Sequence, residues 1–459
     1  MYMPAEENFD NILQRYEQYI STNQNGYFDV EEFEQIADYY LWKGRTKESS
    51  HAIELGLQLH PDSMALQNKR AKIYSAMGNK EKALQILNHN GDANDLDTIL
   101  LKGDILVSLN RFEEADNLFA KVLQLNDPDF DSICLDIAYI YISAQSFERS
   151  LKYLREGINF NPSNIDILFE LAYCYEQTGQ FQESIETHNK ILDIRPYSSE
   201  TWFNLGQVYF LLNQYQKAVE AYDYTTIINE KDSTAWLQKG HSFFQLEQYE
   251  NAIDSYLVYS GMTEYKSNAL VYIGECYEKL EQFDKAISTY LEAIELDETN
   301  TEAWTGIAIC YLEKEEFEKS ISYLQKALEL EPESSEAWVY LAEAYVNLND
   351  NEKAIDAYLS SLNIEVDQPD TLVALGNVYF EEKNYIEAKN AYLKAYELNS
   401  ETENIYLFLS IIYFKLDDVD ESLVFLEEAI KRSSDATNMF FEICPEAIPS
   451  FENYLNKKK

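Results

Sequence analysis

Residues 202–209 read Trp202-Phe203-Asn204-Leu205-Gly206-Gln207-Val208-Tyr209, with Ala218 and Tyr222 following. The arrangement returns at Leu372-Val373-Ala374-Leu375-Gly376-Asn377-Val378-Tyr379 with Ala388 and Tyr392. A looser copy runs Trp304-Thr305-Gly306-Ile307-Ala308-Ile309-Cys310-Tyr311, with Ala327 and Pro332 further on. The aromatic that closes each copy can be followed without slippage. It is Tyr141, Tyr175, Tyr209, Phe243, Tyr277, Tyr311, Tyr345, Tyr379 and Tyr413, each 34 residues after the last.

Each 34-residue block contains two amphipathic helical stretches of about a dozen residues. Gly or Ala at the eighth position lets the paired helix approach closely. The eleventh-position aromatic fills the space beside it, and Ala at the twentieth admits the neighbouring helix. The pairs Asn161-Pro162, Arg195-Pro196 and Glu331-Pro332 separate blocks, because proline cannot continue a helix. One such block cannot bury its apolar face alone, so neighbours must stack to make a core.

This spacing, with its Trp-Leu-Gly-Tyr, then Ala and aromatic, then Pro order, resembles the tetratricopeptide repeat family. The resemblance implies an all-α, right-handed superhelical solenoid of about twelve helix pairs with capping helices at its ends. Blocks start at 131, 165, 199, 233, 267, 301, 335, 369 and 403, and weaker ones near 30, 64 and 96. The weaker blocks keep Ala37, Tyr40, Ser49 and Pro61, then Ala71, Tyr74 and Ala83, then Gly103, Ala115 and Phe119. The expected organisation is a capping helix and turn over 1–29, a solenoid over 30–436 and a carboxyl-terminal cap over 437–459. The 64–95 block is two residues short and the 96–130 block has one extra near Asp127-Pro128, so a local change of pitch is expected there. Phe9, Ile12, Leu13, Tyr16 and Ile20 are to cover one end. Met439, Phe440, Ile443, Ile448, Phe451 and Leu455 are to cover the other, with Lys457, Lys458 and Lys459 suited to a helix carboxyl end.

The chain has 459 residues, few glycines and prolines, and a formal net charge of −45. Such acidity repels phosphate backbones and favours basic partners, so no nucleic-acid partner is expected. The amino terminus has neither a basic nor an apolar signal region, and no run of about 18 apolar residues appears. A cytoplasmic protein with reduced cysteines and no membrane insertion is expected. Cys174, Cys276 and Cys310 share the tenth block position, which marks them as small buried helix residues; Cys134 and Cys444 complete the five.

Residues 21–32 resemble a calcium loop through Asn23, Asn25, Gly26, Asp29 and Glu32, but Ser21 stands where Asp is needed. The plainer reading is a turn in which Asp29 caps the next helix. His51, His60, His89, His188 and His241 make no metal-ligand spacing. No phosphate loop, zinc-protease or nucleophile-elbow motif is present, and the repeats leave no room for a catalytic domain. No catalytic residue, metal or cofactor is expected.

The family resemblance places the partner groove along the first helix of each repeat, through positions two, five, nine, twelve and thirteen. Here those positions carry Phe169, Tyr173, Phe203, Gln207, Phe210, His241, Phe244, Glu275, Glu343 and Asn377. Acidic residues recur at position two: Asp166, Glu200, Glu302, Glu336 and Asp370. The densest aromatic group is Phe169, Tyr173, Phe203, Phe210 and Phe244. An apolar, carboxylate-edged groove suits a basic or amphipathic peptide or helix of a partner protein. The family's chaperone-tail clamp of Lys, Asn and Arg is not matched, since in the regular repeats only Asn377 falls on such a position, with no Lys or Arg beside it, and Lys72 in the irregular second repeat is isolated. The expected function is a non-enzymatic scaffold or adaptor. A ligand- or calcium-responsive regulator and a self-assembling structural protein are the alternatives.

Overall fold

The computed structural model describes residues 6–22, 26–89, 95–124, 127–399, 404–433 and 435–448, and Phe451. Among them the chain forms 26 α-helices, two short 3-10 turns and no strand. It divides into two compact units, one up to Leu212 and one from Asn213.

In the first unit the helix Glu6–Thr22 precedes the first helices Val30–Trp42, Met64–Ala76, Leu96–Ser108, Phe130–Ser143 and Ile165–Gln177, each followed by its second helix. Ser199–Leu211 closes this unit, and Tyr215–Ile228 opens the next. The second unit continues with first helices Ser233–Gln245, Lys266–Lys279, Thr301–Glu313, Ser335–Asn347, Pro369–Glu381 and Ile405–Lys415, and its last helix is Ala436–Ile443. Every first helix begins within two residues of the block start read from the sequence. Within each unit most second helices pack between the first helix of their own hairpin and that of the next, and several successive first helices also touch, among them Val30–Trp42 on Met64–Ala76 and Lys266–Lys279 on Thr301–Glu313. Those contacts set neighbouring first helices side by side within each unit.

Four local devices repeat with the 34-residue period. The residue at position fifteen follows the first helix in the left-handed region, from φ +56° at Gln145 to +62° at Asp417 among the non-glycines and up to +81° at Gly78. Gly44, Gly78 and Gly179 hold that place at no steric cost, but Glu247, Glu281, Glu315 and Lys383 hold it too. The next backbone N–H then reaches the eleventh-position carbonyl, as in Gln282 to Tyr277 at 2.8 Å and Glu316 to Tyr311 at 2.8 Å. That bond satisfies a carbonyl the helix leaves open.

At the start of the first helices, Asn164, Ser198, Asp232, Asn300 and Ser334 each accept a hydrogen bond from the backbone N–H three residues on. The position-four indoles of Trp202, Trp236, Trp304 and Trp338 donate to the carbonyls of Pro196, Glu230, Glu298 and Pro332, six residues back in the connecting turn. Each indole thus fixes the angle at which one hairpin follows another.

Inside each hairpin the eighth and twenty-fourth positions are complementary. A Cβ added at Gly240 would stand 2.4 Å from the Tyr256 ring, and one at Gly274 2.5 Å from Tyr290. Tyr256, Tyr290 and Tyr392 are fully buried, whereas the eleventh-position rings from Tyr209 onward are half-buried. At three of the position-twenty serines the hydroxyl donates to the position-eight carbonyl of the paired helix: Ser49 to Ala37 at 2.7 Å, Ser150 to Ala138 at 3.3 Å and Ser422 to Ser410 at 2.8 Å.

The irregular blocks are irregular in structure. The second helix of the 96 block stops after Phe112–Phe119 and continues as the 3-10 turn Val122–Gln124. Phe119 is driven against Gly103, where an added Cβ would meet the ring at 1.9 Å. At the amino-terminal end Phe9, Ile12 and Tyr16 are buried and Leu13 is half-buried, but Ile20 is 46% exposed beside a surface pocket with Tyr16 and Tyr40. At the other end Phe440 and Phe451 stack 5.2 Å apart against Phe414, covering the last repeat and leaving Ile443 and Ile448 exposed. Leu455 and the three terminal lysines lie outside the described residues.

Candidate partner-binding faces

In the first unit Tyr173 is 41% exposed and meets Phe147 edge-to-face at 5.8 Å. Phe169, Phe203 and Phe210 are half-buried and Gln207 is exposed on the same set of helix positions. Tyr139, one repeat before Tyr173, is also exposed, and Glu170 accepts its hydroxyl proton in a hydrogen bond. Burial raises the Glu170 carboxyl, with Asp166 adding to it. This face is aromatic with a carboxylate margin.

The second unit holds the other five candidates. Phe244 is half-buried, edge-on to Tyr249 at 5.3 Å. His241 Nδ1 shares a hydrogen bond of 2.8 Å with the Tyr256 hydroxyl, and burial holds its pKa below the usual imidazole value. Asn377 Oδ1 accepts the hydroxyl of Tyr392. Both ninth-position side chains are thus oriented by the buried position-twenty-four tyrosine of the same repeat. Position alone had not shown this tie.

Glu275 and Glu343 belong to a larger acidic group. Burial pushes the Glu275 carboxyl up to about 7, and the charges of Glu302, Glu278 and Glu336 add to the rise while Lys279 opposes it. Burial also raises Glu278, although Lys279 and a hydroxyl bond from Tyr290 at 3.3 Å work against it. Glu343 is raised by burial and by Glu313. Among these groups Tyr340 is pushed up to about 12, by burial first and then by Glu336, Glu278 and Glu343. Glu275 and Glu278 on one first helix and Glu343 on another are therefore held above the usual carboxylate range, with charges from Glu302, Glu313 and Glu336 contributing. Lys279, 3.7 Å from Glu278, works to hold Glu275 down. Such a surface gains most when a cation arrives from outside. Glu278, Glu313, Tyr272 and Tyr340 were not among the sequence candidates. Tyr272 and Tyr340 share position six, and that recurrence was the signal available.

The remaining motifs resolve as follows. Asp29 caps Val30–Trp42 in a capping box with Glu32. The Glu32 carboxylate accepts the Asp29 N–H at 3.0 Å through one oxygen and pairs with Arg15 at 2.8 Å through the other. The oxygens a calcium ion would need are already engaged; Asn23 and Asn25 lie outside the described residues. All five cysteines are buried and free. Burial raises every thiol, Cys134, Cys276 and Cys310 to about 12, far from the thiolate that reacts. Among the described residues no group of three His, Cys, Asp or Glu side chains could hold a metal ion. No described helix is long and apolar enough to cross a membrane.

Stacked helix hairpins with a fixed 34-residue period define a helical-repeat protein. Models of the tetratricopeptide repeat match residues 96–129, 131–164 and 233–257, and 163–223. The chain belongs to the tetratricopeptide repeat family. A model of the cilia and flagella-associated protein 70 C-terminal domain matches residues 254–439. No curated protein is a significant match. Similar solved structures include the APC/C hetero-tetramer Cut9-Hcn1, 15% identical, covering 89% of this chain and 99% of that one with a TM-score of 0.40. MamA is 23% identical over 37% of this chain and 93% of its own, TM-score 0.35. YrrB, described as a TPR protein with an unusual peptide-binding site, is 21% identical over 41% and 98%, TM-score 0.33.

Proposed function

We propose that this chain is a non-enzymatic, cytoplasmic scaffold that holds segments of partner proteins against the inner row of first helices. The observation that carries this reading is the group of mutually repelling carboxylates around Glu275 in the second unit. Glu275, Glu278, Glu302 and Glu336 face one another with little internal compensation, and Tyr272 and Tyr340 lie among them. A partner segment bearing Lys or Arg would relieve that repulsion and lay its apolar carbons on the rings. In the first unit Tyr173, Phe203 and Phe210, with Gln207, supply an aromatic counterpart for an apolar segment. The match of residues 254–439 to a cilia- and flagella-associated domain supports a ciliary or flagellar assembly as the setting in which to look for the partner.

Native purification of the chain followed by mass spectrometry tests the reading. The wild type is run beside a folded Tyr173→Glu, Phe203→Glu variant and beside Glu275→Gln, Glu336→Gln. A specific partner retained by the wild type and lost from one variant is the expected result. A partner held equally by all three proteins rules the inner row out.

A further inference from the structure

In the 301 repeat, Tyr323 at position twenty-three stacks on Tyr311 at 5.5 Å and lies 5.8 Å from Trp304. Position twenty-three carries a ring stacked on the eleventh-position tyrosine twice more: Tyr153 on Tyr141 at 5.8 Å and Phe425 on Tyr413 at 5.4 Å. In the 335 repeat the same place holds Ala357. There the equivalents of the indole and the tyrosine, Trp338 and Tyr345, border a pocket of about 540 Å³ floored by Leu328, Leu341 and Ala357. That volume lies within the range of small-molecule sites. The aromatic ring that three other repeats carry for themselves is absent here.

Lys319 stands 5.0 Å from the Tyr311 ring while Tyr323 stacks on it, so one ring accepts a cation and a second ring together. Tyr345 already has its cation, Lys353 at 5.2 Å. At the pocket mouth, Lys353 is paired with Asp350 and Glu329 with Lys326. Asp356, also at the mouth, has no salt bridge and no side-chain hydrogen bond among the described residues. Its unneutralised carboxylate gives the mouth a preference for positive charge.

We propose that the pocket beside Ala357 is a binding site for an aromatic ring bearing a basic amine, the ring seated where Tyr323 sits in the preceding repeat and the ammonium at Asp356. The ring would stack on Tyr345 beside the Trp338 indole, as Tyr323 stacks on Tyr311 beside Trp304, and the tyrosine stack itself occurs in two further repeats. The site lies between the second helices Phe317–Leu330 and Asn351–Ile364 and the first helix Ser335–Asn347, and it uses none of the carboxylates of the inner-row reading.

Tyramine is the probe, titrated into the full chain by ligand-observed NMR, with 2-(4-hydroxyphenyl)ethanol as its uncharged twin. Saturable binding of tyramine, weaker for the twin, is expected. Ala357→Tyr supplies the missing ring from within and should abolish binding without lowering the melting temperature; Ala357→Met fills the pocket more flexibly and should also abolish it. Asp356→Asn should weaken tyramine by about fivefold and leave the twin unchanged. No saturable binding at millimolar tyramine, or binding retained in the folded Ala357→Met protein, overturns the proposal.

Discussion

At the residue scale, the fifteenth position shows sequence and backbone at odds. Glu247, Glu281 and Glu315 adopt the left-handed conformation that costs an L-residue about 1–2 kcal/mol, and they place a negative charge at a helix carboxyl end. Glu281→Gly and Glu315→Gly should each stabilise the second unit by about 0.5–1 kcal/mol, read by chemical denaturation. The reverse test, Gly179→Ala, should cost the first unit about 1 kcal/mol. Unchanged midpoints for all three would show that the turn does not carry this strain. Crowding at the eighth position is steeper. Gly274→Ala brings a methyl within 2.5 Å of the buried Tyr290 ring and should destabilise by roughly 1–3 kcal/mol.

Glu275 carries a pH signature at the same scale. Its folded pKa is raised to about 7 from a usual value of 4.5, so between those values the folded chain holds a proton that the unfolded chain has released. Stability therefore falls as pH rises from about 4.5 to 7, and the penalty is fully present above 7. Allowing for partial solvent screening, it is on the order of 1 kcal/mol. Glu275→Gln should flatten this part of the stability profile of the second unit. A profile of wild-type slope in that variant would remove Glu275 as its source.

At the element scale, the hairpin angle rests on the position-four indoles. Trp304→Phe keeps a ring but loses the donor to the Glu298 carbonyl, and should cost about 1 kcal/mol with helix content unchanged. The elements were the most legible part of the sequence. A strict 34-residue period places the first helices, because a small residue at eight must meet the large side chain at twenty-four, as Gly240 meets Tyr256 and Gly274 meets Tyr290. The fifteenth-position turn was readable from Gly44, Gly78 and Gly179, but glutamates and asparagines elsewhere concealed it. The shortened helix Phe112–Phe119 was foreshadowed only as a phase slip, since local periodicity cannot say which side of an insertion gives up its helix. Exposure of Ile20, Ile443 and Ile448 was not legible either, because amphipathicity marks an apolar face and not how much of it a neighbour covers.

At the scale of the whole molecule, the sequence conveyed the class of protein and the chemistry of its inner positions. It did not convey their electrostatic coupling. Glu275, Glu278, Glu302 and Glu336 are distributed over 62 residues of chain, and only the stacking of successive first helices brings them to one face. Nor did sequence reveal that His241 and Asn377 are held by tyrosines fifteen residues later. The calcium-loop resemblance, by contrast, meets a definite obstacle in the Arg15 and Asp29 bonds to Glu32. Calorimetry with millimolar calcium should give no binding heat; a stoichiometric heat lost in Glu32→Gln would reverse that view.

The central claim is that the acidic face of the second unit receives a basic segment of a partner. Titration calorimetry of a basic amphipathic helical peptide of lysine and leucine, at pH 6 and pH 8, tests it directly. A cation at Glu275 expels the proton that its raised pKa retains, so affinity should climb by up to about tenfold between the two pH values, with proton release seen as buffer-dependent heat. Glu275→Gln, Glu278→Gln, Glu336→Gln should lose both the binding and its pH dependence. Diffuse attraction to a chain with 81 acidic residues would scarcely register the loss of three. Equal affinity for wild type and the triple variant, without pH dependence, would contradict the account.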